Sequence, residues 1–182
     1  MISAEKEYSL KDNRICTLRS AAVSDAAAMV EFLRLSNEET YFMMRYPEEI
    51  TLTEDEEKAI LKNWEEQPSK LLLLAWIDGE IVGSCGITPV AEHLKTKHRG
   101  RLGISVRKKY WGIGIGGLLL REILSFAKKN GIEQVELGVY SDNLRAQKLY
   151  ERFGFTAWGR LPHAYKLKDG SYRDEINMVL PL

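Results

Sequence analysis

The stretch Val106-Arg-Lys-Lys-Tyr-Trp-Gly-Ile-Gly-Ile-Gly-Gly-Leu118 constrains this chain more than any other. A short apolar strand leads into four glycines, which open directly into a helix. The helix shows as a stripe of Leu119, Leu120, Ile123, Leu124 and Ala127 at helical spacing, and Asn130-Gly131 supplies its stop signal. Glycines ahead of a helix let the backbone approach a ligand closely. The helix N-terminus then aims amide N–H groups and a favourable dipole at negative charge. The segment reads as a phosphate-binding turn, and the question is which phosphate-bearing ligand it serves.

The rest of the chain narrows the answer. At 182 residues a single domain with a sizeable core is expected. Residues 14–182 are read as that domain, and 1–13 as an N-terminal extension of it. The 26 basic and 26 acidic residues cancel, so bulk charge gives no reason to expect a nucleic acid or a membrane surface as partner. The longest apolar run, Leu71–Ile77, is far short of a membrane span. The start, Met1-Ile-Ser-Ala-Glu-Lys-Glu, lacks the basic-then-apolar layout of a secretion signal. Cys16 and Cys85 form no metal or redox spacing and read as buried reduced thiols. A cytoplasmic location is the expectation.

The element order predicted from pattern is β-α-α-β-β-β-α-β-α-β-β. A strand over 15–20 precedes a helix capped by Ser24-Asp25 and carrying Met29, Val30, Phe32 and Leu33. Residues 36–50 read as irregular. Thr53 with Glu56 is a capping box for the second helix. Asp78-Gly79 between apolar runs marks a hairpin of Leu71–Ile77 with 81–87. A polar loop over 89–98 leads to the strand 102–106. Beyond the glycine helix, Gln134–Tyr140 reads as a strand with Val135, Leu137 and Val139 on one face and Glu136, Gly138 and Tyr140 on the other. Ser141-Asp142-Asn143 caps a helix with Leu144, Leu149, Tyr150 and Phe153, closed by Gly154. Two strands flank Asp169-Gly170. A hairpin-rich sheet with several helices is a mixed, mainly antiparallel α/β or α+β domain.

Gly112-Ile-Gly114-Ile-Gly-Gly117 matches the dinucleotide pattern G-x-G-x-x-G. Against that reading, Arg107 to Trp111 separate the strand from the glycines, hairpins precede the motif, and too little chain follows for further βα units. For it, Glu133 and Glu136 lie about 20 residues on, where a ribose-binding acid would sit. No Gly-Lys-Ser/Thr follows, so it is not a P-loop.

Trp111-Gly112-Ile113-Gly114-Ile115-Gly116 after a strand resembles the acetyl-CoA pyrophosphate turn of the GNAT acetyltransferases, Q/R-x-x-G-x-G/A. One strand and one turn later, Asn143-Leu-Arg-Ala-Gln-Lys-Leu-Tyr-Glu-Arg-Phe-Gly-Phe155 resembles that family's second signature, N-x-x-A-x-x-(L/Y)-Y-x-x-x-G-F. The pair, correctly ordered and spaced, is far more specific than either alone. The resemblance covers about residues 14–182, and the ending through Asp169-Gly170 is most like the branch of ribosomal-protein N-terminal acetyltransferases. It implies a GNAT-like fold, a mixed sheet flanked by about four helices. Two departures stand out. Trp111 replaces the usual Gln or Arg. Gly138 stands where similar N-terminal acetyltransferases carry a glutamate general base, and a glycine there is read as making room for the acceptor.

The resemblance implies direct acetyl transfer from acetyl-CoA to a primary amine, of a protein N-terminus or of a small molecule. Gly112, Ile113, Gly114, Ile115, Gly116 and Gly117 would hold the pyrophosphate. Ile104, Ser105 and Val106 match the open strand edge that pairs with the pantetheine arm, and Asn143 is a helix cap that also touches the cofactor. A strand N–H would stabilise charge on the thioester oxygen. Tyr150 matches the acid that protonates the departing thiolate. A terminal amine has a pKa of about 8 and a lysine amine about 10.4, so the acceptor must lose a proton. Glu38, Glu39, Glu136 and His93 are the candidate bases. Arg107-Lys108-Lys109 would draw in the adenosine phosphate, and Phe42, Met43, Met44, Tyr46 and Pro47 would wall the acceptor. Neither a metal nor a nucleic acid is expected at His93 and His98. Similar proteins are often homodimers. A CoA-binding sensor without turnover and a dinucleotide oxidoreductase stay as alternatives.

Overall fold

The computed structural model describes residues 5–182; Met1-Ile-Ser-Ala, read above for a leader, lies outside the described residues. The strands are β1 (Lys6–Ser9), β2 (Ile15–Ser20), β3 (Leu71–Ile77), β4 (Glu80–Pro89), β5 (Arg99–Val106), β6 (Gln134–Tyr140), β7 (Thr156–Lys166) and β8 (Tyr172–Pro181). The helices are α1 (Ala26–Glu39), α2 (Glu54–Glu66), α3 (Ile115–Lys129) and α4 (Leu144–Arg152). The strands hydrogen-bond in the order β1-β2-β3-β4-β5-β6-β8-β7. The pairs β1–β2, β2–β3, β3–β4, β6–β8 and β7–β8 are antiparallel, whereas β5–β6 is parallel. The expected mixed, mainly antiparallel sheet with four helices is therefore found. By contact density the chain divides into two units, one comprising the described residues up to Thr88 with Gly103–Phe126, the other Pro89–Leu102 with Ala127–Leu182.

In the first unit the β3–β4 hairpin forms where Asp78 (φ 50°) and Gly79 (φ 79°) both take left-handed angles, as its two-residue turn requires. The α2 capping box closes as read, with Thr53 N donating to Glu56 (2.8 Å) and Glu56 N to Thr53 Oγ1 (3.3 Å). Its apolar face joins a core of Met29, Phe32, Leu61, Leu72, Leu74 and Ile81. Two strand glycines govern how closely the helices sit. A Cβ on Gly86 would stand 3.1 Å from the Trp64 ring, and one on Gly83 about 3.2 Å from Leu119 and 3.3 Å from Ile115. Gly83 thus lets the first turns of α3, the helix after the glycine turn, lie directly on β4.

Three features differ from the sequence reading. The α1 helix runs on through Glu39, into the segment read as irregular. Asp25 does not cap α1 with its side chain; its carboxylate takes Arg19 in a fork (2.6 and 2.7 Å) and the Ala22 amide (2.8 Å). The strand β1 is additional, and Tyr8 and Lys6 tie it to Glu122 on α3 at 2.8 and 2.5 Å.

In the second unit, Val135, Leu137 and Val139 of β6 are buried, as the alternation requires, and pair with Leu180, Met178 and Ile176 of β8. Gly131 (φ 74°) and Gly154 (φ 92°) end α3 and α4 in left-handed turns. The opposite face of β6 carries Glu136, Gly138 and Tyr140.

Candidate functional site

Within the first unit, β5 ends at Val106 and a 3-10 turn, Lys108–Tyr110, fills the gap before the glycines. The Trp111 indole donates to the Val106 carbonyl at 2.6 Å, and Arg107 N donates to the Val82 carbonyl at 3.0 Å. Trp111 therefore fastens the turn to the end of the strand, a job that explains an indole where the resembling family has Gln or Arg. Gly112 (φ 84°) and Gly114 (φ 111°) take angles that L side chains rarely adopt. Nothing lies within 4 Å of where a Cβ on either would stand, so their backbone angles require glycine and the space beside them is open. The Gly114 carbonyl accepts from Gly117 N (3.0 Å) and Leu118 N (3.2 Å), which starts the helix. The amides of Ile115 and Gly116 then have no intrahelical acceptor. An open cradle of backbone N–H groups at a helix N-terminus is a donor set that fits a pyrophosphate.

Ile104, Ser105 and Val106 are half-buried at the end of β5. The Ser105 hydroxyl lies 3.5 Å from the Met43 sulfur, which brings the segment after α1 against this strand end. Of the residues read as an acceptor wall, Met44 is 80% exposed and projects into solvent, whereas Met43 faces the strand. The cationic run is less available than its sequence suggests. Arg107 pairs with Glu39 (3.0 Å), Lys109 pairs with Glu80 (3.0 Å), and Glu39 also accepts from Lys108 N at 2.5 Å.

The second unit holds Asn143 and Tyr150. Asn143 Oδ1 accepts from Ala146 N at 3.2 Å, and Gln147 Nε2 holds the Tyr140 and Ser141 carbonyls at 3.0 Å, so the cap is fixed twice. Tyr150 is buried, with its ring 5.8 Å from that of Phe155. Its carbonyl accepts from Phe153 N and Phe155 N, which anchors the end of α4. An open basin on the outer face of α4 is lined by Arg145, Lys148, Glu151 and Arg152, and includes neither Asn143 nor Tyr150.

The three candidate carboxylates are engaged. Glu38 pairs with Arg34, Glu39 with Arg107, and Glu136 with Arg99 in a fork at 2.9 and 3.0 Å. His93 closes a turn through its carbonyl. A different carboxylate stands at Gly138. A Cβ there would lie 2.5 Å from Glu175 Cδ, 2.6 Å from Oε2 and 2.9 Å from Oε1. The space kept by Gly138 is thus filled by Glu175 of the neighbouring strand, and is not the open room expected for an acceptor. The Tyr165 hydroxyl donates to Glu175, and the Tyr165 ring stacks on Tyr140 at 3.9 Å. Burial and then the bond to Glu175 push the Tyr165 phenol above its usual range. A glycine inside a strand is the signal that could have found Glu175, because it marks close approach by another group. Among the described residues no cluster of His, Cys, Asp or Glu could hold a metal ion.

The acetyltransferase (GNAT) family matches residues 30–155, a span that includes both the glycine turn and the Asn143 helix. The chain belongs to that family. It is an acyltransferase of the N-acetyltransferase kind, and acetyl-CoA-dependent acetyl transfer is general for the family. A GNAT acetyltransferase from Streptococcus pneumoniae is 31% identical and superposes with a TM-score of 0.87, covering 92% of this chain and 99% of that one. The L-amino acid N-acetyltransferase AaaT of Escherichia coli K12 is 31% identical over 121 residues, 64% of this chain and 74% of that protein. YncA from Salmonella typhimurium, solved with its cofactor acetyl-CoA, shares the fold at 22% identity, with a TM-score of 0.79 over 92% of this chain and 94% of that one. Among the described residues no helix is long and apolar enough to cross a membrane.

Proposed function

We propose that this protein transfers an acetyl group directly from acetyl-CoA to the primary amine of a small, amino-acid-like molecule. The observation that carries the reading is the family match across both the glycine turn and the segment 143–155. The name of the Escherichia coli relative favours a small α-amine over a protein N-terminus. Acetyl-CoA supplies the acetyl group activated as a thioester. The amides from Gly112 to Gly117 bind its pyrophosphate, the edge at Ile104, Ser105 and Val106 pairs with the pantetheine amides, and Asn143 contacts the cofactor while capping α4. The Tyr150 hydroxyl protonates the departing sulfur. Met43, held against Ser105, supports a role for the segment after α1 in walling the acceptor. The two free, buried cysteines, with Cys16 pushed up to about 11 by burial, support a reducing cytoplasmic location. The family resemblance supports a homodimer.

Binding of acetyl-CoA or CoA is expected to stabilise the fold by ~2.7 kcal/mol at a hundredfold excess over the dissociation constant, with NAD and ATP doing much less. Thermal melts with each ligand test this, and equal stabilisation by NAD would favour the dinucleotide reading instead. Steady-state assays with L-amino acids and with an alanine-initiated peptide then separate the two acceptor classes.

The turn itself gives a second expectation. Gly114→Val puts a β-branched residue at φ 111°, so the local backbone must turn and the amides lose their common aim. CoA affinity should fall at least about tenfold, roughly 1.4 kcal/mol, in a protein that still folds. Calorimetry showing wild-type affinity in folded Gly114→Val contradicts the assigned pyrophosphate site.

A further inference from the structure

We propose that the Glu175 carboxylate on β8, reaching across Gly138 of β6, is the general base that takes the proton from the acceptor ammonium. The inference rests on the acetyl-transfer reading above, which requires such a base because an amine attacks only as its neutral form. Three observations single out Glu175. Its carboxyl group sits where a side chain at 138 would begin, 2.5 to 2.9 Å from the Cβ position, so the glycine is a condition of its placement. Among the described residues its one hydrogen-bond donor is the Tyr165 hydroxyl, at Oε2, which leaves Oε1 for an ammonium group. Tyr165 is in turn fixed by stacking on Tyr140 at 3.9 Å and 8°. The remaining carboxylates read as bases are spoken for: Glu38, Glu39 and Glu136 each hold an arginine. Glu175 is half-buried and paired with no cation among the described residues.

The proton balance closes. One ammonium proton passes to Glu175, and the nitrogen lone pair forms the C–N bond at the acetyl carbon. The C–S bond breaks with its electron pair on sulfur, which takes the Tyr150 proton. The surplus proton on nitrogen restores Tyr150, and Glu175 releases its own to solvent. The products are the acetamide, free CoA and one proton.

The test compares wild type with Glu175→Gln, which keeps an oxygen for Tyr165 but cannot take a proton, and with Gly138→Ala, whose Cβ displaces the carboxyl group. Probes are a panel of L-amino acids and alkylamines, and methoxyamine, which is already neutral at pH 7. With any acceptor that wild type uses and that is an ammonium at pH 7, both variants should lose 10²–10⁴-fold in kcat/KM. They should bind CoA as wild type does by calorimetry. Methoxyamine should lose much less, because it has no proton to surrender. Glu175→Gln within threefold of wild type on the basic amine, or an equal loss on methoxyamine, overturns the base assignment and leaves the acetyl-transfer reading standing. A wild-type protein that binds acetyl-CoA but transfers to no amine in the panel, or that binds no acetyl-CoA, overturns both.

Discussion

Replacing Tyr150 by phenylalanine is expected to lower kcat by 10²–10⁴-fold, roughly 3–5 kcal/mol of barrier, and to leave acetyl-CoA affinity nearly unchanged. The substitution removes one oxygen and keeps the ring. Because Tyr150 is buried with its ring against Phe155, the apolar part that packs is the part retained. If the hydroxyl donates to the leaving sulfur, its loss appears in turnover and not in binding. The deficit should shrink at low pH, where solvent supplies protons more readily. If Tyr150 is only a core ring, stability changes by about 1 kcal/mol through a lost hydrogen bond and turnover barely moves. Steady-state kinetics with a working acceptor decides between them. A kcat within threefold of wild type, about 0.65 kcal/mol of barrier, removes Tyr150 from the chemistry.

What was legible in the sequence was what closes over a few residues. Asp78-Gly79, the Thr53 to Glu56 box, the Gly131 and Gly154 stops and the Asn143 cap each have their partners within one turn of chain, and each appears in the structure. Local rules failed where a distant group competes for the same side chain. Asp25 has the chemistry of a helix cap, yet a bidentate arginine from the preceding strand outbids the helix amides for its carboxylate. Arg107 and Lys109 look like a phosphate-seeking run, but Glu39 and Glu80, 68 and 29 residues away along the chain, neutralise them. The strand β1 has no apolar run to announce it; pairing with β2 and the contacts of Lys6 and Tyr8 with Glu122 hold it. The placement of Glu175 depends on β8 lying beside β6, a pairing that residue spacing does not specify. The ligand turn was readable because strand, glycines and helix are contiguous.

Glu57 gives the second large effect, this time on stability. It lies one turn before Leu61 on the buried face of α2 and is only 2% exposed. Burial pushes its carboxyl up to about 7 from an ordinary 4.5, with Arg45 opposing. The sign follows from which state holds the proton. Between pH 4.5 and 7 the folded protein keeps Glu57 protonated while the unfolded chain releases it, so stability falls as pH rises through that window. Above pH 7 both states are ionised and the penalty is complete, at ~3 kcal/mol for a shift of this size. Below pH 4.5 both are protonated and there is none. Glu57→Gln supplies a neutral group of the same shape, so it should match wild type near pH 4.5. At pH 8 it should be more stable by up to ~3 kcal/mol, with a flatter dependence between. Urea unfolding at pH 5 and pH 8 measures the difference. A Glu57→Gln variant whose stability relative to wild type is the same at both values would mean that the carboxylate is ionised in the folded protein, held by Arg45 against the cost of burial.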